Sequence, residues 1–239
     1  MIAEAMKKVQ ELVEQAGQHL TVDGRNYLMG NWREIVPPAV TPFSLRTLTG
    51  LVDVVKAAPD SFHPEEWIAH VVTPSKVMVE AKTDDEYGRR AVFASCEVLA
   101  AEPHPFGRFL DREAFVIGLL SQFVESDELS GLLRLTSSMS NDAATLSEDD
   151  GVSQKVTVKS GIQLKELATV RPRWTLKPYR TFREIEQPAS KFLFRVKGEA
   201  GSVPGCALFE ADGGAWKLEA VLTIKAWLEA KQLGLSVVA

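Results

Sequence analysis

The sequence predicts an α+β protein with mainly antiparallel sheets, several helices and a strand-rich C-terminal half. Helical spacing of apolar residues dominates residues 1–140, whereas alternation of apolar and polar residues dominates residues 151–239. The strands of the second part follow one another without intervening helices, and a parallel crossover needs about a dozen residues or more. We therefore expect a helix-containing half, 1–140, and a strand-rich half, 151–239, packed as one compact unit.

The first predicted elements are a helix, a hairpin and a second helix. Apolar residues recur at steps of three and four between Ile2 and Ala16, and Gly17 follows as a stop signal. The pair Asp23-Gly24 lies between two short apolar runs, which is typical of a hairpin turn. The spacing of Leu48, Leu51, Val52 and Val55 then predicts a helix over 47–57.

Three strands and two helices are expected next. The runs 67–72, 76–81 and 90–98 are strand-like, and the polar turn 83–88 joins the last two as a hairpin. Asp111 is placed to cap a helix with one broad apolar face, and a further helix should cover 127–139. The members of the apolar face are Phe115, Val116, Leu119, Leu120 and Phe123.

The segment Gly151–Gly161 alternates apolar and polar residues between two glycines, which predicts a half-buried strand. Val156 and Val158 would face the core, and Lys155 and Lys159 would face outward. Further strands are expected over 162–170, 174–179, 192–196 and 206–210. The alternation that starts at Ala215 favours another strand, with a helix left open beyond Lys225.

Composition limits the class of protein. The chain has 239 residues, 45% hydrophobic and 25% charged, with a net charge of −5, so it can form a core and its whole surface is not built for nucleic acid. Cys96 and Cys206 lie in apolar runs without metal-ligand spacing, which predicts buried, reduced thiols. The N-terminus lacks a signal peptide's apolar core and no run could span a membrane, so we expect a soluble cytoplasmic protein without a membrane partner.

The sequence predicts no catalytic residue, no metal site and no cofactor. The four histidines are scattered, no nucleophile-elbow motif is present, and the glycine spacings of phosphate-binding loops are absent. Acidic clusters leave one enzymatic alternative, a metal-dependent hydrolase that uses Glu210 and Asp212. The Glu210–Gly214 segment is more typical of a turn that joins two strands.

Basic and aromatic residues are interleaved in the first part of the strand-rich half. Strands that display cations beside aromatic rings can bind single-stranded nucleic acid by charge and stacking, although ordinary sheet surface or a subunit contact gives the same composition. The candidate anion or nucleic-acid face consists of Lys155, Lys159, Arg171, Arg173, Trp174 and Lys177.

The order of these elements resembles the YfdQ-like family of phage and prophage proteins of unassigned function. The likeness is carried by the strands 76–81 and 90–98, the capped helix 111–115 and the ribbon 155–162, and it covers most of the chain from about residue 30. The ribbon KVTVKSGI resembles the family in its letters, whereas 103–109 and 209–216 depart from it, as in a distant branch. The resemblance implies a phage-derived protein in the cytoplasm of the host cell and brings no catalytic residues.

The leading hypothesis is a non-enzymatic phage or prophage protein that assembles with itself into a ring or shell, through sheet edges or faces of the strand-rich half. One alternative is an accessory protein that binds single-stranded nucleic acid in phage replication or recombination. The other is the metal-dependent hydrolase.

Overall fold

The computed structural model describes residues 2–16, 19–23, 25–28, 33–34, 36, 38–99, 103–139, 154–160, 164–197 and 205–239. The helices in these ranges are α1 Ile2–Ala16, α2 Leu48–Lys56, α3 Arg112–Gln122, α4 Asp127–Ser138 and α5 Ala215–Glu229. The strands are β1 His19–Val22, β2 Arg25–Leu28, β3 Arg33–Glu34, β4 Phe43–Leu45, β5 Trp67–Thr73, β6 Lys76–Asp84, β7 Arg90–Glu97, β8 Gln154–Ser160, β9 Leu164–Val170, β10 Arg173–Leu176, β11 Ser190–Lys197, β12 Gly205–Glu210 and β13 Ser236–Val238. The protein is therefore α+β, as the sequence predicts.

The chain clusters into two compact units. The first comprises Met1–Thr41 and Thr83–Ala91, and the second comprises Pro42–Lys82 and Val92–Ala239. The first unit holds α1 and the antiparallel sheet β1-β2-β3, in which the predicted hairpin is present with Val22 opposite Arg25. The division into 1–140 and 151–239 stays a prediction.

A five-stranded sheet with the order β13-β5-β6-β7-β4 forms one part of the second unit. Both edge strands are three residues long and pair in parallel with their neighbours. The core on this sheet combines strand residues with α2 and α5, through side chains such as Leu48, Val79 and Ile224. Short edge strands limit pairing with another chain, so this sheet offers little edge for assembly.

A three-stranded antiparallel sheet, β10-β11-β12, forms the other part of the second unit. Helices α3 and α4 supply Phe115, Leu119 and Leu132 to a core that contains Phe192 and Phe194 of β11. Asp111 caps α3 as predicted, because its Oδ1 accepts a hydrogen bond of 2.8 Å from the backbone N–H of Ala114. One face of this sheet is thus covered by a helix pair.

Strands β8 and β9 form a two-stranded antiparallel ribbon. The predicted strand in Gly151–Gly161 is present as β8, and its register sets Lys155 opposite Thr169 and Lys159 opposite Lys165. The predicted inward and outward directions of its side chains lie outside the described residues.

The prediction of a strand from Ala215 is wrong, because this segment is the 15-residue helix α5. Its buried residues Ala220, Ile224 and Leu228 are four apart, whereas Leu218 is 65% exposed. Alanine, leucine, lysine and glutamate favour a helix, and their order produced the alternation by coincidence.

The predicted apolar face of α3 is narrower than expected. Phe115, Leu119 and Phe123 are buried, but Val116 is half-buried and Leu120 is 64% exposed. A helix packed on one flat sheet needs only the residues at steps of four in its core.

Both cysteines are reduced and fully buried, as predicted. No helix within the described residues has the length and apolar character needed to cross a bilayer.

Candidate functional site

The face of the β10-β11-β12 sheet that points away from α3 and α4 is called the outer face here. Residues directly opposite each other in an antiparallel sheet point to the same side, so the register defines its members. Arg173, Leu193 and Phe209 form one row, and Thr175 is opposite Lys191. The outer face comprises Arg173, Thr175, Lys191, Leu193, Arg195, Lys197, Gly205, Ala207 and Phe209.

Alternation along β11 separates the two faces. Phe192, Phe194 and Val196 are buried toward the helix pair. Lys191 and Lys197 are exposed on the other side, with half-buried Leu193 and Arg195 between them. The apolar residues of β11 thus fix the orientation of its cations, because turning the strand over would bury the charges.

The strand residues of the outer face carry positive charge. Arg173, Lys191 and Lys197 are exposed there, Arg195 is half-buried and makes an interaction of its own, and Asp212 and Glu219 lie beside Lys191 at one end. Lys191 and Lys197 are six residues apart on one strand, a distance of about 20 Å. A local field of one sign attracts a polyanion even when the whole chain has a net charge of −5.

Two aromatic rings lie at one side of the outer face. Phe209 is half-buried, and Phe109 is 43% exposed with its ring centroid 6.1 Å from that of Phe209. Leu110, the next residue after Phe109, exchanges backbone hydrogen bonds of 2.8 and 2.9 Å with Cys206 on β12. This bridge holds the aromatic pair beside the cations, which is an arrangement suited to base stacking.

Of the residues predicted as an anion or nucleic-acid face, Arg173 lies on the outer face and is exposed. Trp174 lies on the opposite side of the same strand, is 8% exposed and belongs to the core with Phe192. Its indole Nε1 donates a 2.8 Å hydrogen bond to the carbonyl of Arg171. The indole ring of Trp174 therefore stabilises the sheet from the side that faces α3 and α4.

Arg171 and Lys177 are ion-paired. Arg171 donates two hydrogen bonds of 2.9 Å to the carboxylate of Glu128 on α4, and its guanidinium lies 5.1 Å from the ring of Trp174. Lys177 Nζ donates to Glu186 Oε1 at 2.5 Å. These cations are neutralised locally, which reduces their attraction for phosphate.

The two predicted lysines of the ribbon, Lys155 and Lys159, lie on β8, which pairs with β9 in a separate sheet. Their side chains lie outside the described residues. Of the six residues predicted as the anion or nucleic-acid face, one, Arg173, therefore lies on the outer face.

Glu210 and Asp212, the acidic pair of the hydrolase alternative, both interact with Arg180. Arg180 Nη1 donates to Glu210 Oε1 at 2.5 Å, and the charge of Arg180 acts on Asp212 as well. Within the described ranges, no three residues among His, Cys, Asp and Glu are grouped to hold a metal ion. The guanidinium of Arg180 provides positive charge beside these two carboxylates, at the place where the hydrolase alternative needs a metal ion.

Sequence reasoning missed Lys191, Arg195, Lys197 and Phe209. The signal was present in the segment SKFLFRVK, where aromatic and aliphatic residues alternate with Lys and Arg. The apolar half of that pattern predicts the strand, and the cationic half indicates the charged side of the same strand.

Comparisons with family models, with curated proteins and with solved structures returned no match to this chain. The resemblance to the YfdQ-like family stays a prediction.

Proposed function

We propose that this protein binds single-stranded nucleic acid through the outer face of the β10-β11-β12 sheet. The observation that carries the proposal is the sign of the charges on this face, where the exposed side chains of Arg173, Lys191 and Lys197 share one side of the sheet. Phosphate groups bind such a surface by releasing counterions, whatever the base sequence. Lys191 and Lys197, at the two ends of β11, would place phosphate contacts about 20 Å apart.

The aromatic pair supports a single strand over a duplex. Unpaired bases expose their faces and can stack on Phe109 or Phe209, and each stacked base contributes about 1–3 kcal/mol. A duplex keeps its bases inside and would meet only the cations.

The test measures binding of a fluorescein-labelled 20-nucleotide DNA by anisotropy at low salt. Changing Lys191 and Lys197 together to glutamine should weaken binding at least tenfold, because two phosphate contacts are lost. The matched control is Lys56→Gln, since Lys56 is exposed at the end of α2 and lies outside this sheet. Equal affinity of the double variant and the wild type would contradict the proposal, as would no binding by the wild type.

A second function, self-association, is favoured by α1. Its apolar residues Met6, Val9, Leu12 and Val13 are 69%, 60%, 53% and 66% exposed, although Val9 lies three or four residues from each of the others along the helix. A helix with an apolar stripe gains stability when another surface covers that stripe. A ring or shell of identical subunits would place such helices against one another.

Native mass spectrometry and light scattering at micromolar concentration test self-association. The wild type should form an oligomer, and the variant with Val9→Glu and Val13→Glu should be a folded monomer. Lys7→Glu is the control, because it makes the same change of two charge units at an exposed position of the helix about 150° from the centre of the stripe. A monomeric wild type removes this second function and leaves the nucleic-acid proposal intact.

A further inference from the structure

The segment 106–110 extends one edge of the three-stranded sheet and is called the edge segment here. The backbone N–H of Gly107 donates a 2.8 Å hydrogen bond to the carbonyl of Leu208, and Leu110 is bridged to Cys206 through both of its backbone groups. Leu110 packs on the core that contains Cys206. Because side chains alternate along an extended segment, Phe109 points to the opposite side, which is the outer face.

Gly205 shows where on the outer face Phe109 lies. The register pairs Gly205 of β12 with Lys197 of β11. A Cβ atom added at Gly205 would lie 3.4 Å from the Cβ of Phe109. Lys197, Gly205 and Phe109 are therefore neighbours in one row across the outer face.

This row sets a cation beside an aromatic ring. Lys197 is exposed, and Phe109 is 43% exposed. The Cα atoms of directly opposite residues in an antiparallel pair are about 4.5–5.5 Å apart, and Gly205 contributes no side chain to the space above its backbone. The charge and the ring can therefore contact neighbouring parts of one ligand.

Phe209 orients the ring of Phe109. The two ring centroids are 6.1 Å apart and the ring planes meet at 67°, which is the edge-to-face arrangement that aromatic pairs prefer. A flat base cannot stack on two rings at this angle. Phe209 is half-buried, so Phe109 is the ring that offers its face to a base, and Phe209 is a positioning residue.

We propose that Lys197, Gly205 and Phe109 form a subsite for one nucleotide of a single strand, with the phosphate on Lys197 and the base stacked on Phe109. The inference rests on the proposed function and adds that the ligand must carry bases. A polyanion without bases would contact the cations of the outer face and leave the ring of Phe109 uncovered. Stacking uses the π-face that every base has, so the subsite accepts any of the four bases.

The test compares a strand of 15 thymine nucleotides with a strand of 15 stable abasic units, which has the same backbone charge. Both strands carry the same fluorescent label, and binding is measured by anisotropy at low salt. We expect the wild type to bind the thymine strand about tenfold more tightly, which is within the range that one stacked base provides.

Three variants assign this preference to the subsite. Phe109→Leu removes the ring and should reduce the affinity for the thymine strand to that for the abasic strand, which should itself stay unchanged. Phe109→Trp restores an aromatic ring and should retain the preference. Lys197→Gln should weaken the binding of both strands by the same factor, because each loses one phosphate contact.

Phe43→Leu is the matched control. Phe43 is 55% exposed on β4 of the five-stranded sheet, and its ring meets that of Phe93 edge-on, as the ring of Phe109 meets that of Phe209. This variant should bind both strands as the wild type does. Loss of the preference in it would count against a base stacked on Phe109.

The outcomes separate this inference from the function on which it rests. Salt-dependent binding of the thymine and abasic strands with equal affinity would overturn the subsite and keep the proposed function. A preference for the thymine strand that survives Phe109→Leu would also overturn the subsite. Absence of binding to both strands would remove the proposed function itself.

Discussion

Two adjacent leucines of α3 provide a sharp test of how the helix pair packs on the three-stranded sheet. Leu119 is fully buried in the core with Phe115 and Phe194, whereas Leu120 is 64% exposed. We expect Leu119→Ala to destabilise the protein strongly and Leu120→Ala to have little effect. Both changes alter helix propensity equally, so their difference reports burial alone.

The magnitude follows from the exposed fractions. Leu119→Ala loses the full transfer free energy of the side chain and leaves a cavity, at a total of about 3 kcal/mol within a usual range of about 2–5. Leu120 has about a third of its side chain removed from water, so its truncation costs less than about 1 kcal/mol.

Urea unfolding followed by circular dichroism gives both free energies of unfolding. For a chain of this length, about 3 kcal/mol corresponds to a decrease of roughly 6–12 °C in the melting temperature. Equal losses for the two variants, or a larger loss for Leu120→Ala, would refute the assigned face of α3.

Three further predictions concern buried or strained positions. Burial raises the pKa of the Cys96 and Cys206 thiols to about 12, so a thiol reagent at pH 8 should label neither until the protein unfolds, and labelling of the native chain would contradict their burial. Burial lowers the pKa of His104 below its ordinary 6.5, more than the Gln122 hydrogen bond raises it, so the unfolded chain binds the proton more tightly. The free energy of unfolding should keep the full contribution of neutral His104 above about pH 6.5 and decrease below that pH. His104→Gln should flatten this part of the pH profile measured by urea unfolding, and an unchanged profile would contradict the role of His104. Gly214 has φ of +81°, so Gly214→Ala should reduce the free energy of unfolding by about 1 kcal/mol, and an unchanged urea midpoint would count against that backbone geometry.

The sequence predicts the fold class well because most elements combine a clear period with a cap or turn signal. Asp111 and the alternation of Gly151–Gly161 are examples, and both lead to elements that are present. The pattern from Ala215 failed, since a mixed helix can imitate alternation over several residues. Helix propensity, together with Gly214 as the N-cap of α5, is the better guide for this segment.

The candidate site was less accessible to sequence reasoning. Arg171, Trp174 and Lys177 are close together in the chain, but both cations pair with carboxylates and the indole ring is buried in the core. The composition of the outer face depends on which strands are neighbours. Arg173 and Lys191 lie on the same face because β10 and β11 pair in the register that places them opposite Leu193 and Thr175. That register is set by the tertiary fold and cannot be predicted from the spacing of residues within one strand.

The central claim is that phosphates contact the three exposed cations of the outer face, Arg173, Lys191 and Lys197, and the salt dependence of binding tests it most directly. For a single strand, each neutralised phosphate contributes about 0.7 to the slope of log affinity against log salt, so three contacts give a slope of about −2. The double variant of Lys191 and Lys197 should reduce the slope to about −0.7. A wild-type slope near zero, or the same slope in the double variant, would contradict the account.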